Sequence, residues 1–258
     1  VIHWQLTSQQ YEAVFFAMQR DRLPYPTWHA EHAVDEADLD RQRREAIDAL
    51  QPRVDDDLAR LLHTLAGPDV RVHVHGCIGS EMDDSDDQLR AYAGFGQSIA
   101  AVAIQAADPR PGVSGGVTVS LCSHRQAELL LARMLGEQRP GQHKIAALKS
   151  ELDIEPEWVG SWNRPPTPRE RVERFFTRPR TGWGEVLCYP GPFLDNRTDG
   201  VDGFLWMDFP RDGRYYVRED NHSYTATPMD HDRFVGHVRS LVSRVRASSE
   251  TPKGQAHR

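Results

Sequence analysis

The sequence predicts an α+β fold, a broad sheet with flanking helices. Two stretches, from Val70 to Leu135 and from Gly182 to Val245, follow one plan: several strand-like runs closing in a capped, apolar-striped helix. The length of 258 residues is near the upper size of one domain, enough to bury about three quarters of the unfolded surface without a staple. The expectation is one domain over residues 1–247, with pseudo-repeats at about 70–135 and 182–245.

The chain before the first unit reads as helical. Thr7-Ser8-Gln9-Gln10 is a capping box, with Leu6 and Tyr11 placed as a hydrophobic staple, and Tyr11, Val14, Phe15 and Met18 share one helix face. Leu23-Pro24-Tyr25-Pro26 ends it. A second helix from Asp35 to Leu50 carries Leu39, Ala46, Ile47 and Leu50. A third carries Leu58, Leu61, Leu62 and Leu65 and stops at Gly67-Pro68.

In the first unit Val70 to Val74, Leu89 to Phe95, Ser98 to Gln105 and Val117 to Leu121 are alternating or β-branched runs separated mostly by Gly or Pro, a meander. Ser123-His124-Arg125-Gln126 has capping-box spacing before Ala127, Leu130, Leu131 and Met134. Lys144 to Leu152 is ambiguous. Pro165-Pro166 breaks the chain before Thr167-Pro168-Arg169-Glu170 caps a helix with Val172, Phe175 and Phe176.

In the second unit Gly184 to Tyr189 and Phe204 to Phe209 read as strands, Asp212-Gly213 as a hairpin turn, and Tyr215 to Val217 and Tyr224 to Ala226 as further strands. Thr227-Pro228-Met229-Asp230 reads as the helix start, with Thr227 the cap and Pro228 the first helical residue. Phe234, Val238, Leu241, Val242 and Val245 form its stripe. Trp206, Tyr215, Tyr216 and Tyr224 favour core over contact. Tyr215 and Tyr216 point to opposite faces, which leaves one of them for a partner.

A net charge of −7 and a pI near 5.9 argue against nucleic acid as a partner, since backbone binding needs clustered Lys and Arg. Cys77, Cys122 and Cys188 lack metal-type spacing and read as buried reduced thiols. No run is long and apolar enough for a membrane span and no secretory signal pattern opens the chain, so a cytosolic protein fits best. The first residue is Val1, which leaves a trimmed start open.

The chemical motifs are weak. Gly112-Val113-Ser114-Gly115-Gly116 matches the nucleophile-elbow pattern, but an elbow needs a strand before it and a helix after it, and here a strand follows. A serine hydrolase using Ser114 with one of the histidines is the competing reading. A small-ligand binding dimer is a third, without a Gly-rich phosphate loop to support it. His73 and His75, two apart in a strand, could share a metal, with His63 close in sequence; no further ligand spacing joins them, so they read as polar positions on a solvated sheet face. An EF-hand counted from Asp83 would need Gly and Glu where Gln88 and Gly94 stand. No metal, cofactor or catalytic residue is assigned.

Three segments read as loose: Gly76 to Gln88 with its acids, the Pro-, Gly- and Asp-rich Pro190 to Asp202, and Ser248 to Arg258, a disordered tail. Long loops on a rigid sheet often carry binding.

Trp4-Gln5-Leu6-Thr7 before an apolar helix, then Leu23-Pro24-Tyr25-Pro26, the Leu61 to Pro68 helix leading into Val70-Arg71-Val72, and Asp212-Gly213-Arg214-Tyr215 with Thr227-Pro228 before a final helix resemble the EspG family of type VII (ESX) secretion-associated proteins of actinobacteria. The resemblance reaches to about Ala247. It implies a central antiparallel sheet built as two similar halves with N-terminal and C-terminal helical bundles. It also implies a cytosolic, non-enzymatic chaperone that binds the helical tip of a PPE protein in a PE-PPE heterodimer, keeps it soluble and hands it to the secretion machinery. A homodimer is left open. Carried over by position, the contacts implied are the Gly76 to Gln88 loop with Glu81, Met82, Asp83, Asp84, Asp86 and Asp87, and then Asp195, Arg197, Asp202 and Phe204.

Overall fold

Among the described residues ten strands form one antiparallel sheet in the order β1-β5-β4-β3-β2-β7-β8-β9-β10-β6. The structure, a computed structural model, describes residues 1–79, 88–110, 112–149, 165–193 and 201–250. The first half comprises β1 (Ile2–Leu6), α1 (Ser8–Ala17), α2 (Glu36–Leu50), α3 (Asp56–Ala66), β2 (Val70–Ile78), β3 (Gln88–Phe95), β4 (Ala100–Gln105), β5 (Val117–Cys122) and α4 (His124–Met134). The second comprises β6 (Ile145–Leu148), α5 (Pro168–Phe176), β7 (Gly182–Pro190), β8 (Asp202–Phe209), β9 (Gly213–Glu219), β10 (Ser223–Pro228) and α6 (His231–Glu250).

The two halves repeat each other. In each, an edge strand comes first in the chain, a helix leads into a four-strand meander, and a helix follows the last strand. The meanders join through their first strands: β2 and β7 pair from Val70 opposite Pro190 to Ile78 opposite Gly182. The expected α+β fold with a central antiparallel sheet is the observed one.

Alternation sends side chains to two faces. On the back, Val70, Val72, Val74, Ala91, Ala93, Val186 and Cys188 pack under Ala127 and Leu131 of α4 and under Phe234, Val238, Leu241 and Val245 of α6. Burying one such large aliphatic or aromatic side chain contributes roughly 1.5–3 kcal/mol. On the front, Tyr92, Ala101, Ala103, Val117 and Val119 pack under α1 and α3 through Tyr11, Phe15, Leu58, Leu61 and Leu65. At the far end of the front, Phe175 of α5 packs on Met207, Phe209, Tyr215 and Val217.

The capping boxes form where the sequence places them. Thr7, Ser123 and Thr167 each accept from the N–H of the residue three on, and Gln10, Gln126 and Glu170 reach back. Asp35 caps α2.

Five expectations change. Residues 2–6, read as a lead-in to a helix, are the edge strand β1, paired with β5. The ambiguous Lys144 to Leu152 contains β6, paired with β10. Thr227 and Pro228 do not start the last helix but end β10; Asp230 is the cap, accepting from the Arg233 N–H at 2.8 Å. Ser248 and Ser249, assigned to the tail, continue α6, their hydroxyls bonded to the carbonyls of Arg244 and Val245. Gly76, Cys77 and Ile78, assigned to a loop, extend β2.

Gly76 stays in the strand because of its neighbour. A Cβ on Gly76 would meet the Trp183 carbonyl oxygen at 2.3 Å and the Cα of Gly184 at 2.7 Å, and one on Gly184 would meet the His75 carbonyl oxygen at 2.3 Å. The paired glycines let β2 and β7 approach over the indole of Trp206.

Candidate functional site

Among the described residues, the helices leave one part of the front face open. Along β7, Trp183, Glu185, Leu187 and Tyr189 point to the front and are half-buried, while Gly184, Val186 and Cys188 between them are buried on the back. Glu185 lies opposite Leu205 of β8, which is 38 % exposed. From the back α6 packs on β7 and β8, while on the front α5 reaches the Met207–Phe209 end of β8. The result is a strip with apolar residues at its centre, bounded by the Tyr25 segment beside the N-terminal bundle and by α5.

The residues that flank the two sequence-assigned loose segments lie at opposite ends of this strip. Residues 79–87 follow Ile78, which faces Gly182 at the start of β7 and is exposed. Residues 194–200 follow Phe193, just past the other end of β7, and return at the exposed Val201. Of the sequence-assigned contacts, Glu81, Met82, Asp83, Asp84, Asp86, Asp87, Asp195 and Arg197 lie outside the described residues. Asp202 begins β8 and binds Arg244 at 2.7 Å and Arg218 at 3.3 Å. Phe204 is a correction: it is buried on the back, its ring against Tyr216, Phe234 and His237, so it serves the core and offers no contact surface. Leu187 and Leu205, on the opposite face, were missed; the period-2 pattern of β7 and β8 could have placed them.

Beside the strip runs a polar chain. The Tyr25 hydroxyl donates to Glu185 Oε1 at 3.1 Å and lies 2.7 Å from His75 Nδ1. One hydroxyl proton cannot serve both, so with Glu185 as acceptor His75 carries its proton on Nδ1 and donates to Tyr25. Burial, and then the neighbouring Glu185, push the Tyr25 pKa up; burial and Arg90 push that of His75 down.

His73 is not on a solvated face. It is 3 % exposed, enclosed by the rings of Tyr25, Tyr92, Tyr189 and Phe193, and neither ring nitrogen has a hydrogen-bond partner among the described residues. Burial, reinforced by Arg71, lowers its pKa to about 3. Arg71 beside it donates from Nη1 to the carbonyls of Pro190, Gly191 and Pro192, fixing the exit of β7. Among the described residues no group of three or more His, Cys, Asp or Glu could hold a metal.

Of Tyr215 and Tyr216, one of which was expected to be left for a partner, Tyr216 stacks on His237 of α6 at 4.1 Å between ring centres. Tyr215 is buried on the front against Phe175 and Phe209. The three cysteines are buried and none is in a disulfide, and no helix among the described residues is long and apolar enough to cross a membrane.

Ser114 lies between β4 and β5 and leads into a strand, so the strand-turn-helix of an elbow is absent there. Its Oγ donates to Ser8 Oγ at 2.8 Å, accepts from the Ala30 N–H at 3.0 Å and lies 3.4 Å from His29 Nδ1. No described carboxylate hydrogen-bonds the far nitrogen of His29. These bonds tie the start of α1 and residues 29–30 to the β4–β5 connection.

No curated protein matches the chain. Among solved structures it is similar to the Mycobacterium tuberculosis type VII secretion system chaperone EspG5, solved in complex with the PE25-PPE41 dimer. The match covers 98% of each chain with a TM-score of 0.57 and 11% identity, a likeness of fold. The EspG family model matches residues 7–240, from the first helix cap through both meanders into α6, and this chain therefore belongs to the EspG family.

Proposed function

We propose that this protein is a type VII secretion chaperone that binds the helical tip of a PPE protein within a PE-PPE heterodimer in the cytosol and keeps it soluble until it reaches the secretion machinery. The observation that carries this reading is the strip on the front of β7 and β8, where Leu187 is half-buried and Leu205 exposed, with no described helix over them, in the middle of the sheet. Family membership supports the partner class, as does the EspG5 fold, itself solved with a PE-PPE dimer.

The physics is capping. An apolar helix tip left in water self-associates, and a preformed surface with an apolar centre and a polar rim covers it without nucleotide or metal. The acids between Glu81 and Asp87 in the sequence bias the choice among tips by charge, acting on association rate and specificity more than on affinity. Release needs only a competing partner, and no bond chemistry is involved.

The test is co-expression with the PE-PPE pair encoded nearest to this chain's gene, followed by size-exclusion chromatography. The wild type elutes with the pair as one complex. Leu187→Asp combined with Leu205→Asp elutes alone while keeping its circular dichroism spectrum. A wild type that never retains a PE-PPE pair, or labelling by a serine-reactive probe that Ser114→Ala abolishes, defeats the proposal.

A further inference from the structure

The open strip is not uniformly apolar. Glu185 sits among its apolar residues, opposite Leu205 on one side and His75 on the other, with Leu187 next on the same face. Oε1 is engaged by Tyr25, and no ion pair to Glu185 occurs among the described residues. Arg90, the cation in the same cross-sheet row, lies beyond His75, where it donates to Gln88 and covers the ring of Trp28.

The arrangement fixes the carboxylate. His75 donates to Tyr25 and Tyr25 to Glu185, so one oxygen is held in place and the other remains an acceptor directed by a preset side chain. A client that covers Leu187 and Leu205 takes this oxygen out of water. A wholly apolar tip would leave the charge stranded, which is unfavourable, while a cationic side chain would satisfy it with a charge-assisted bond.

We propose that Glu185 is a specificity-determining residue of this chaperone and selects clients whose helical tip carries a Lys or Arg beside its apolar residues. The inference rests on the client reading given above. Tyr25 and His75 are positioning residues that hold the carboxylate in register with the strip. A tip lacking the cation is rejected by the desolvation of Glu185, so discrimination is written into the sheet itself and does not depend on the loops alone.

The experiment uses the full chain and the PE-PPE pair that it retains, with affinity measured by calorimetry at two salt concentrations. Glu185→Gln is expected to weaken binding about tenfold or more and to flatten the salt dependence, with an unchanged melting temperature. Glu185→Lys abolishes binding, and a PPE variant with its tip Lys or Arg changed to Glu restores it. Tyr25→Phe gives a smaller loss of the same kind. Glu185→Gln binding as the wild type does, with the same salt dependence, or a retained client with no basic residue in its tip, overturns this inference and leaves the chaperone reading intact. A wild type that retains no PE-PPE pair removes both.

Discussion

Arg214 closes a two-point ion pair on Asp208 across the β8–β9 hairpin, Nε to Oδ1 at 2.7 Å and Nη2 to Oδ2 at 2.8 Å, with both side chains almost wholly buried. The same guanidinium donates to the carbonyls of Leu135 and Gly136 just past α4. A helix of the first half is thereby pinned to a hairpin of the second. Removing one partner leaves a buried charge uncompensated, so Asp208→Ala is expected to cost about 3–5 kcal/mol, read as a lower urea midpoint. The double change Asp208→Leu with Arg214→Met, which removes both charges and fills the space, is expected to cost less than Asp208→Ala.

Stability should fall in acid through His73. Its folded-state pKa is near 3 against an ordinary value of 6.5, so between these two pH values the unfolded chain binds the extra proton. The contribution is complete above pH 6.5 and is lost as pH falls toward 3. It amounts to about 2–3 kcal/mol between pH 7.5 and 4.5. His73→Phe, which suits the ring cage and cannot protonate, is expected to flatten urea stability over this window relative to the wild type.

The start of α6 gives a sharp contrast. Asp230→Ala removes the cap and should cost about 1 kcal/mol. Thr227→Ala should change stability by less than about 0.5 kcal/mol, because Thr227 belongs to β10. Thermal melts of the two variants decide it, and equal losses would argue for a helix starting earlier than His231.

The Gly76 and Gly184 pair predicts strain beneath the strip. Gly184→Ala brings a methyl against the His75 carbonyl and the Trp206 indole nitrogen, and is expected to cost about 1–3 kcal/mol. It should also weaken client binding by spreading β2 from β7, although neither glycine touches the client. Chemical denaturation and the co-elution assay report the two effects separately.

Local signals were legible, and non-local ones were not. The boxes at Thr7, Ser123 and Thr167 and the apolar stripes of α3 and α6 depend on residues a few positions apart, and they form as read. β6 holds two alanines in Ile145-Ala146-Ala147-Leu148 and little intrinsic strand preference; its pairing with β10 makes it a strand. His73 reads as polar and therefore wet, yet its burial is imposed by Tyr25 and Phe193, about fifty residues before it and over a hundred after it. Gly76 reads as a strand end because the reason for it, Gly184, lies on another strand. For the proposed site, the sequence marked the loops by their charge and did not single out Leu187 and Leu205, since an apolar residue in a strand looks the same whether or not a helix covers it.

The β2–β7 pairing joins segments more than a hundred residues apart in the chain, and contacts that distant form slowly. While the ribosome is still making the second half, β2 presents a nine-residue unpaired edge that is open to any other extended peptide. Production of the first half alone should therefore yield aggregates, and the protein tolerates division into its two repeats poorly even though each repeat has its own helices.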